Sequence, residues 1–373
     1  MAVRSGHAYK RGVRTGLCRG RFGNHDGASQ EREFAAGFAR SGSDHALLVE
    51  PRTMAKTVTV GIPVYKRLEY LPQVLKIVAS QNYPEIELLV SDNGVNGRRI
   101  HEIVRENYLR PHRIRQNAST VPMSIHFNQI IQDASGEYFL LLADDDEISS
   151  NYISELVRLF ERHPRASVAM GVQETVDEGG VTVRTSSTAL PEILSGPDFV
   201  RAAWGTHAYG YESFSTFLAR TADLIACGGF PDFWKGRGND DALVVKLCFD
   251  NFVVFSPRCV FRKRFYAESF GFSGSTADLA RAMNDFLKFL ESDPCILRFA
   301  RTQPTQWNEA RRYLVRMIWN NYHMIWADRS QTKLSALEWL QSGFALPFIP
   351  AYYRAVVHTL ASAVWRRLKN HGR

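Results

Sequence analysis

Between residues 57 and 164, short apolar runs alternate with segments of helical period, and this alternation constrains the fold more than any other feature of the chain. "TVTVGIP" (57–63), "IELLVSD" (86–92) and "EYFLLLA" (137–143) have the length and composition of buried strands, with a weaker run near "HRIRQN" (112–117). Between them, "LEYLPQVLKIVASQ" (68–81) places Leu68, Leu71, Leu75 and Val78 on one helical face. "RRIHEIVRENY" (98–108) and "MSIHFNQIIQDA" (123–134) read as helices, and "SNYISELVRLFERHP" (150–164) runs from a candidate serine cap to Pro164. Strands separated by helices of this length predict a parallel sheet with crossover helices, and continuously apolar strands predict burial on both faces. The expected class is α/β, a mostly parallel central sheet flanked by helices. Beyond residue 165 strands are expected at "ASVAMGV", "GVTVRTS", "ESFSTFLAR" (212–220), "FVVFSP" and "CVFRKRF", a helix at "DALVVKLCFDN" (241–251), and mostly helix over 277–340.

Two of the early strands end on acids, at Asp92 and at Asp144, Asp145 and Asp146. Ligands of open α/β sheets gather at the carboxyl ends of the strands. Three adjacent carboxylates repel one another, and a hard divalent cation such as Mg²⁺ or Mn²⁺ would relieve that repulsion while also binding substrate phosphates. Strand alternation would point Asp144 and Asp146 the same way and Asp145 elsewhere. The same triplet also reads as a polar loop with acids placed to cap the helix that follows. Asp92, ahead of Asn-Gly, also reads as a turn aspartate.

Composition places the 373 residues in the globular range, with 45% hydrophobic and 23% charged residues. No run reaches 18 uninterrupted apolar residues, and the longest apolar tract, 343–365, is broken by two prolines, Arg354 and His358. The five cysteines (Cys18, Cys227, Cys248, Cys259 and Cys295) show no C-x-x-C spacing, so reduced thiols in a cytoplasmic protein are expected, not a disulfide frame or a zinc site. The charge of +8 is uneven: residues 1–53 carry nine basic against five acidic residues, 301–373 eleven against three, and 54–300 twenty-six against thirty. A basic tail on a mildly acidic body suits a polyanionic surface. "YYRAVVHTLASAVWRRLKNHGR" (352–373), with Trp319, Tyr322, Met324 and Trp326 upstream, has the pattern of a basic aromatic helix at a membrane interface, or of a helix packed on the core with a solvated end. Residues 1–53 have no sustained periodicity, and "MAKTVTVGIPVYKR" suggests a true start near Met54.

The segment "VTVGIPVYKRLEYLPQVLKIVASQNYPEIELLVSDNG" followed by "FNQIIQDASGEYFLLLADDD" resembles the nucleotide-sugar-binding half of family 2 glycosyltransferases of GT-A fold. The motifs fall in the family's order over 57–172, with thinner likeness over 213–270. The resemblance implies that 54–275 is a catalytic domain, with a nucleotide-sugar half (57–172) and an acceptor half (173–275), and that 276–373 is a helical basic and aromatic C-terminal region. It implies that Pro63, Val64 and Tyr65 cradle a nucleobase, that Asp92 accepts a hydrogen bond from it, and that Asn117 and Asn128 frame the nucleotide. Asp144, Asp145 and Asp146 match the D-x-D segment that binds ribose and metal. Asp144 and Asp146 are then the metal ligands, with Glu268 standing where some relatives place a histidine.

"CGGFPDFWKGRGNDDALVVKL" (227–247) resembles the family's G-G-F segment and the acidic pair that opens a helix. Asp241 matches the usual base and Asp240 the preceding Glu, while Gly228, Gly229 and Trp234 shape the acceptor loop. The Asn-Asp-Asp triplet is also a good helix start by itself. "GVNGRR" after Asp92 and "ASTVPM" after Asn117 depart from the family pattern, and the missing Q-x-x-R-W segment favours addition of one sugar over polymerisation. The implied activity is inverting, Mn²⁺- or Mg²⁺-dependent transfer from a UDP-sugar to a saccharide or lipid-linked saccharide in surface polysaccharide assembly, on the inner face of the plasma membrane. A nucleotidyltransferase would need a glycine-rich basic loop after the first strand, and "GIPVYKR" is a poor one. A nucleic-acid-binding protein would need a recognisable motif, and the body is acidic.

Overall fold

The computed structural model describes residues 56–209, 217–265 and 276–327. The elements in chain order are β1 (Val58–Val64), α1 (Leu71–Ala79), β2 (Ile86–Asp92), α2 (Arg98–Asn107), β3 (His112–Gln116), α3 (Met123–Asp133), β4 (Tyr138–Leu141), β5 (Glu147–Ile148) and α4 (Tyr152–Arg162). There follow β6 (Ala166–Val176), β7 (Thr182–Thr185), β8 (Ile193–Ser195), α5 (Gly196–Val200), β9 (Leu218–Arg220), α6 (Thr221–Ala226), α7 (Asn239–Cys248), β10 (Phe252–Arg264), α8 (Thr276–Ser292), α9 (Pro294–Thr302) and α10 (Pro304–Ala327).

Among the described residues, ten strands form one sheet in the order β3-β2-β1-β4-β9-β6-β10-β5, with β7 added to β6 and β8 to β10. β1 pairs in parallel with both β2 and β4, and β2 with β3. β9 runs antiparallel between β4 and β6. The chain steps outward from β1 to β2 to β3, then returns to lay β4 on the other side of β1. This reversal is where an open α/β sheet leaves a crevice at its carboxyl edge.

Strand alternation divides the interior into two cores. Val58, Val60, Ile62 and Val64 join α1, α2 and α4 on one face. Leu89, Phe139, Val168 and Met170 face α3, α7 and the helices α8 to α10 on the other. Helix α1 begins at Leu71, three residues later than the periodicity suggested, because Pro72 falls in its first turn; Leu68 lies outside the helix and packs against the same core. The serine cap expected for α4 is not formed: Asn151 occupies the cap position, without a side-chain capping bond.

"FVVFSP" and "CVFRKRF" are one strand, β10, interrupted by a bulge between Ser256 and Val260. The strand expected over 212–220 is described only as Leu218–Arg220. The helices expected after 277 are α8, α9 and α10, and Phe286, Phe289, Phe299 and Leu314 lie in the same core as α3 and α7. No helix among the described residues is long and apolar enough to cross a membrane. The tail 352–373, the extension 1–53 and Glu268 lie outside the described residues. The four described cysteines are free thiols.

Candidate active site

The carboxyl ends of β2, β1 and β4 lie side by side, which brings Asp92, the Pro63–Tyr65 loop and the aspartate triplet to one edge of the sheet. Since strands are about 4.8 Å apart, the chain after β2 and the chain after β4 are separated by about 10 Å at this edge. Val64 is buried and Pro63 half-buried, so Tyr65, 42% exposed, offers the open side chain of this loop. The next residue, Lys66, adopts a left-handed φ of 66°, and its ammonium lies 4.9 Å from the Tyr65 ring centre.

Asp92 is buried and is engaged by its own turn. Oδ2 accepts hydrogen bonds from the Asn96 backbone (3.0 Å) and from Gln116 Nε2 (3.3 Å), and Oδ1 accepts from Asn96 Nδ2 (2.8 Å) and the Val95 backbone (3.5 Å). A carboxylate has about four acceptor positions. The turn-aspartate reading therefore describes the bonding of Asp92 among the described residues.

Its neighbour Asn93, absent from the sequence-derived candidates, connects the loops. Asn93 Oδ1 accepts from the Val121 backbone (3.1 Å) and from Asn117 Nδ2 (3.1 Å), while Nδ2 donates to the Val121 carbonyl (3.0 Å). Asn117 is thus part of the frame at this edge. Gly94 has φ of 85°, and a Cβ there would lie 2.9 Å from the Asn117 carbonyl oxygen, so only glycine closes this turn. The D-N-G triplet was the available signal for both Asn93 and Gly94.

The aspartate triplet does not continue β4 as a strand. Asp146 N donates to the Ala143 carbonyl, which closes a turn, so period-two alternation no longer applies. Asp144 and Asp145 are half-buried, whereas Asp146 is buried with Oδ1 accepting from the Arg264 backbone at 3.0 Å. The strand-alternation argument that would point Asp144 and Asp146 the same way therefore does not hold here.

Beneath the loop lies the buried guanidinium of Arg264. It donates to Glu147 Oε1 (2.7 Å), the Asp145 carbonyl (3.3 Å) and the Glu178 carbonyl (3.2 Å), and stands 4.7 Å from the Tyr70 ring centre. Arg67 Nη2 lies 3.4 Å from Asp145 Oδ2. These cations do not fully offset the acids. Burial, and then the Asp145 charge, push the Asp144 carboxyl up to about 7. Asp146 is raised by the same two causes in the same order.

A site short of positive charge in this way would suit a divalent cation with Asp144 among its ligands. A cage made only of protein ligands is not present: among the described residues no three His, Cys, Asp or Glu side chains converge to hold a metal ion.

The residues expected on the acceptor side follow α6. Gly228 and Gly229 have φ of 79° and 65°. Asn128, on α3, donates from Nδ2 to the Phe230 carbonyl (2.9 Å) and accepts from the Phe230 backbone at Oδ1 (2.7 Å). The amide of Asn128, expected around the nucleotide, is bonded here to the G-G-F segment. Trp234 is 40% exposed, its backbone N–H on Asp285 (2.9 Å) and its indole N–H on Asp278 (2.7 Å).

Asp240 and Asp241 are half-buried in the first turn of α7, behind Gly238 with φ of 75°. No side chain caps that helix. The segment from 232 to 236 packs on the start of α3, since Ser124 donates to Asp232 (2.6 Å) and a Cβ on Gly236 would collide with Met123. The residue just before α3's cap, Val121, is held by Asn93. The acidic pair thus follows a segment anchored to the same edge of the sheet as the aspartate loop.

This arrangement has counterparts. Residues 59–227 match the model of "Glycosyl transferase family 2". The fold is similar to S. aureus TarS 1–349 in complex with UDP-GlcNAc (TM-score 0.57, 18% identity, 78% of this chain and 79% of that chain) and to the same protein in complex with UDP (TM-score 0.55, 18% identity, the same coverage). Against the longer S. aureus TarS structure, the TM-score is 0.52 at 16% identity, covering 78% of this chain and 49% of that one. At these identities the likeness is one of fold, while the matched segment holds the β1 loop, the D-N-G turn and the aspartate loop. The chain thus has a GT-A fold, and its residues 59–227 are similar to glycosyl transferase family 2.

Proposed function

We propose that the chain transfers a single sugar, with inversion, from a nucleoside diphosphate sugar to a hydroxyl of a saccharide or lipid-linked saccharide, with a UDP-sugar as donor. The observation that carries this reading is the joint edge of β2, β1 and β4, which brings an exposed Tyr65 and a half-buried Asp144 to the sheet's reversal, the place where open α/β sheets bind their ligands. The likeness to a TarS structure that holds UDP-GlcNAc supports the choice of donor.

In this reading Tyr65 covers one face of the base, and the 93–117–121 hydrogen-bond frame fixes the walls of the nucleotide pocket. A divalent cation, when bound, would stabilise charge on the departing diphosphate, and in this reading Asp144 holds it. Asp241 takes the proton of the attacking hydroxyl, which requires the acceptor oxygen within hydrogen-bond reach of its carboxylate; Asp240 is the alternative base. Surface polysaccharide assembly, with the basic tail at the cytoplasmic face of a membrane, is the setting that suits such an acceptor.

A panel of nucleotide sugars incubated with Mn²⁺, read as nucleoside diphosphate released, tests the reading. Release from a UDP-sugar, reduced at least a hundredfold by Asp241→Asn and by Asp144→Asn, is the expected result. Pyrophosphate as the product would instead mark a nucleotidyltransferase.

A further inference from the structure

Helix α3 is bonded on two opposite faces to two parts of the molecule that are distant in sequence. On one face, His126 Nε2 lies 2.8 Å from Ser91 Oγ at the end of β2, both buried. Just ahead of the helix, Val121 is held through both its N–H and its C=O by the side chain of Asn93. On the other face, Ser124 and Asn128, one turn apart and therefore adjacent, reach the acceptor loop. Ser124 Oγ donates to Asp232 Oδ1 at 2.6 Å, and Asn128 holds both backbone groups of Phe230. Phe127 adds an edge contact with the Phe230 ring, 5.3 Å between centres.

The Asn128–Phe230 pair is specific in its chemistry. One donor and one acceptor on a planar amide match one carbonyl and one N–H of a single residue. Aspartate could not donate, and glutamine is a methylene too long. The pair also dictates its neighbour: Gly229 has φ of 65°, and a Cβ there would collide with Asn128 Oδ1.

We propose that Asn128, assisted by Ser124, is a positioning residue: through α3 it fixes the loop 228–234, and the acidic pair beyond it, at a set place relative to the β2 edge. The inference rests on the glycosyltransferase reading and adds the device that aligns the base-bearing half with the donor-bearing half. Asn128 then acts on turnover and not on nucleotide affinity.

The full chain with Asn128→Ala, Asn128→Asp and Gly229→Ala provides the test. UDP affinity is read by calorimetry in the presence of Mn²⁺, and turnover as UDP released from the UDP-sugar that the wild-type chain uses fastest. Expected are a UDP Kd within twofold of wild type for Asn128→Ala and a turnover at saturating donor lowered at least tenfold. Asn128→Asp should be no better than Asn128→Ala, because it keeps one bond and sets its second oxygen against the Phe230 carbonyl.

In thermal unfolding, Gly229→Ala should lower Tm more in the wild-type background than in the Asn128→Ala background, where the collision is gone. A tenfold loss of UDP affinity with unchanged turnover would make Asn128 a donor ligand and overturn the proposal. So would unchanged turnover in all three variants, or equal Tm losses for Gly229→Ala in both backgrounds. A wild-type chain that turns over none of the sugars refutes the glycosyltransferase reading instead, an outcome distinct from an active wild type with indifferent variants.

Discussion

Removing the guanidinium of Arg264 would leave Glu147 and the Asp145 carbonyl without their buried donor, and the aspartate loop without the cation beneath it. Deleting one partner of a fully buried pair costs about 3–5 kcal/mol; Glu147 is partly exposed and also accepts from Gln73 Nε2 (2.7 Å), so Arg264→Met should lower the urea midpoint by the equivalent of less than that. Arg264→Lys should fall between, since it keeps the charge and loses the fork that serves three acceptors at once. His126 makes a separate expectation. Burial depresses its imidazole to about 4, well below the usual value for histidine. The unfolded chain takes up that proton below about pH 6.5 while the folded chain refuses it until about pH 4, so stability falls across that window as pH drops, by up to about 3 kcal/mol. His126→Gln should flatten the acid limb between pH 6.5 and 4 in urea titrations, whatever its cost at pH 7. Of these residues, the sequence pointed to the aspartates because they break an apolar run. Arg264 was invisible as their partner because the two meet 118 residues apart, through the pairing of β5 with β10.

Helix α4 shows how an element is held by a feature that has no local signature. Glu155 leaves α4 to accept from Ser256 Oγ (2.6 Å) and from the guanidinium of Arg258 (2.8 Å), both in or beside the bulge of β10, as well as from Arg158 on its own helix (2.8 Å). The Arg158 bonds first, helped by Ser256 and Arg258 against the cost of burial, hold its carboxyl down to about 2. A depressed carboxyl contributes stability at pH values above its unfolded pKa, and loses that contribution as pH falls towards the folded value. Glu155→Gln should therefore cost about 2 kcal/mol at pH 7, discounted for the exposure of both arginines, and the difference from wild type should vanish near pH 2. The bulge is also why β10 read as two strands: the apolar pattern stops at Ser256 and restarts at Cys259, and nothing in the sequence says that the same strand resumes. β8 and β5 were equally hard to foresee, since two or three residues cannot display a period. The long β1, β2 and α1 to α4 were legible because their apolar faces extend over two or more turns or a full buried strand.

At the scale of the whole molecule, the family-matched segment is not a unit that can stand alone. It ends at residue 227, yet β10 separates β6 from β5 in the sheet, and β5 is the strand on which the aspartate loop closes. The second face of that sheet is covered by α7 to α10, where Phe286, Phe289, Leu290, Phe299, Leu314 and Ile318 are buried. Each fully buried side chain of this size contributes about 1.5–3 kcal/mol, so these six supply roughly 9–18 kcal/mol, comparable with or above the net stability of an ordinary domain. A chain ended after residue 227 should accordingly show no cooperative urea transition and no near-ultraviolet dichroism. A chain ended after residue 264 regains the sheet with α3 and α7 but exposes the apolar surface that α8 to α10 cover, and it should bind hydrophobic dye and aggregate. If either truncation unfolds cooperatively with the midpoint of the full chain, the helices after β10 are not part of the same core. The sequence suggested a helical C-terminal region following the catalytic domain; in the fold, α8 to α10 are the layer that closes it, a relation set by faces meeting across the sheet, which a single-chain pattern does not encode.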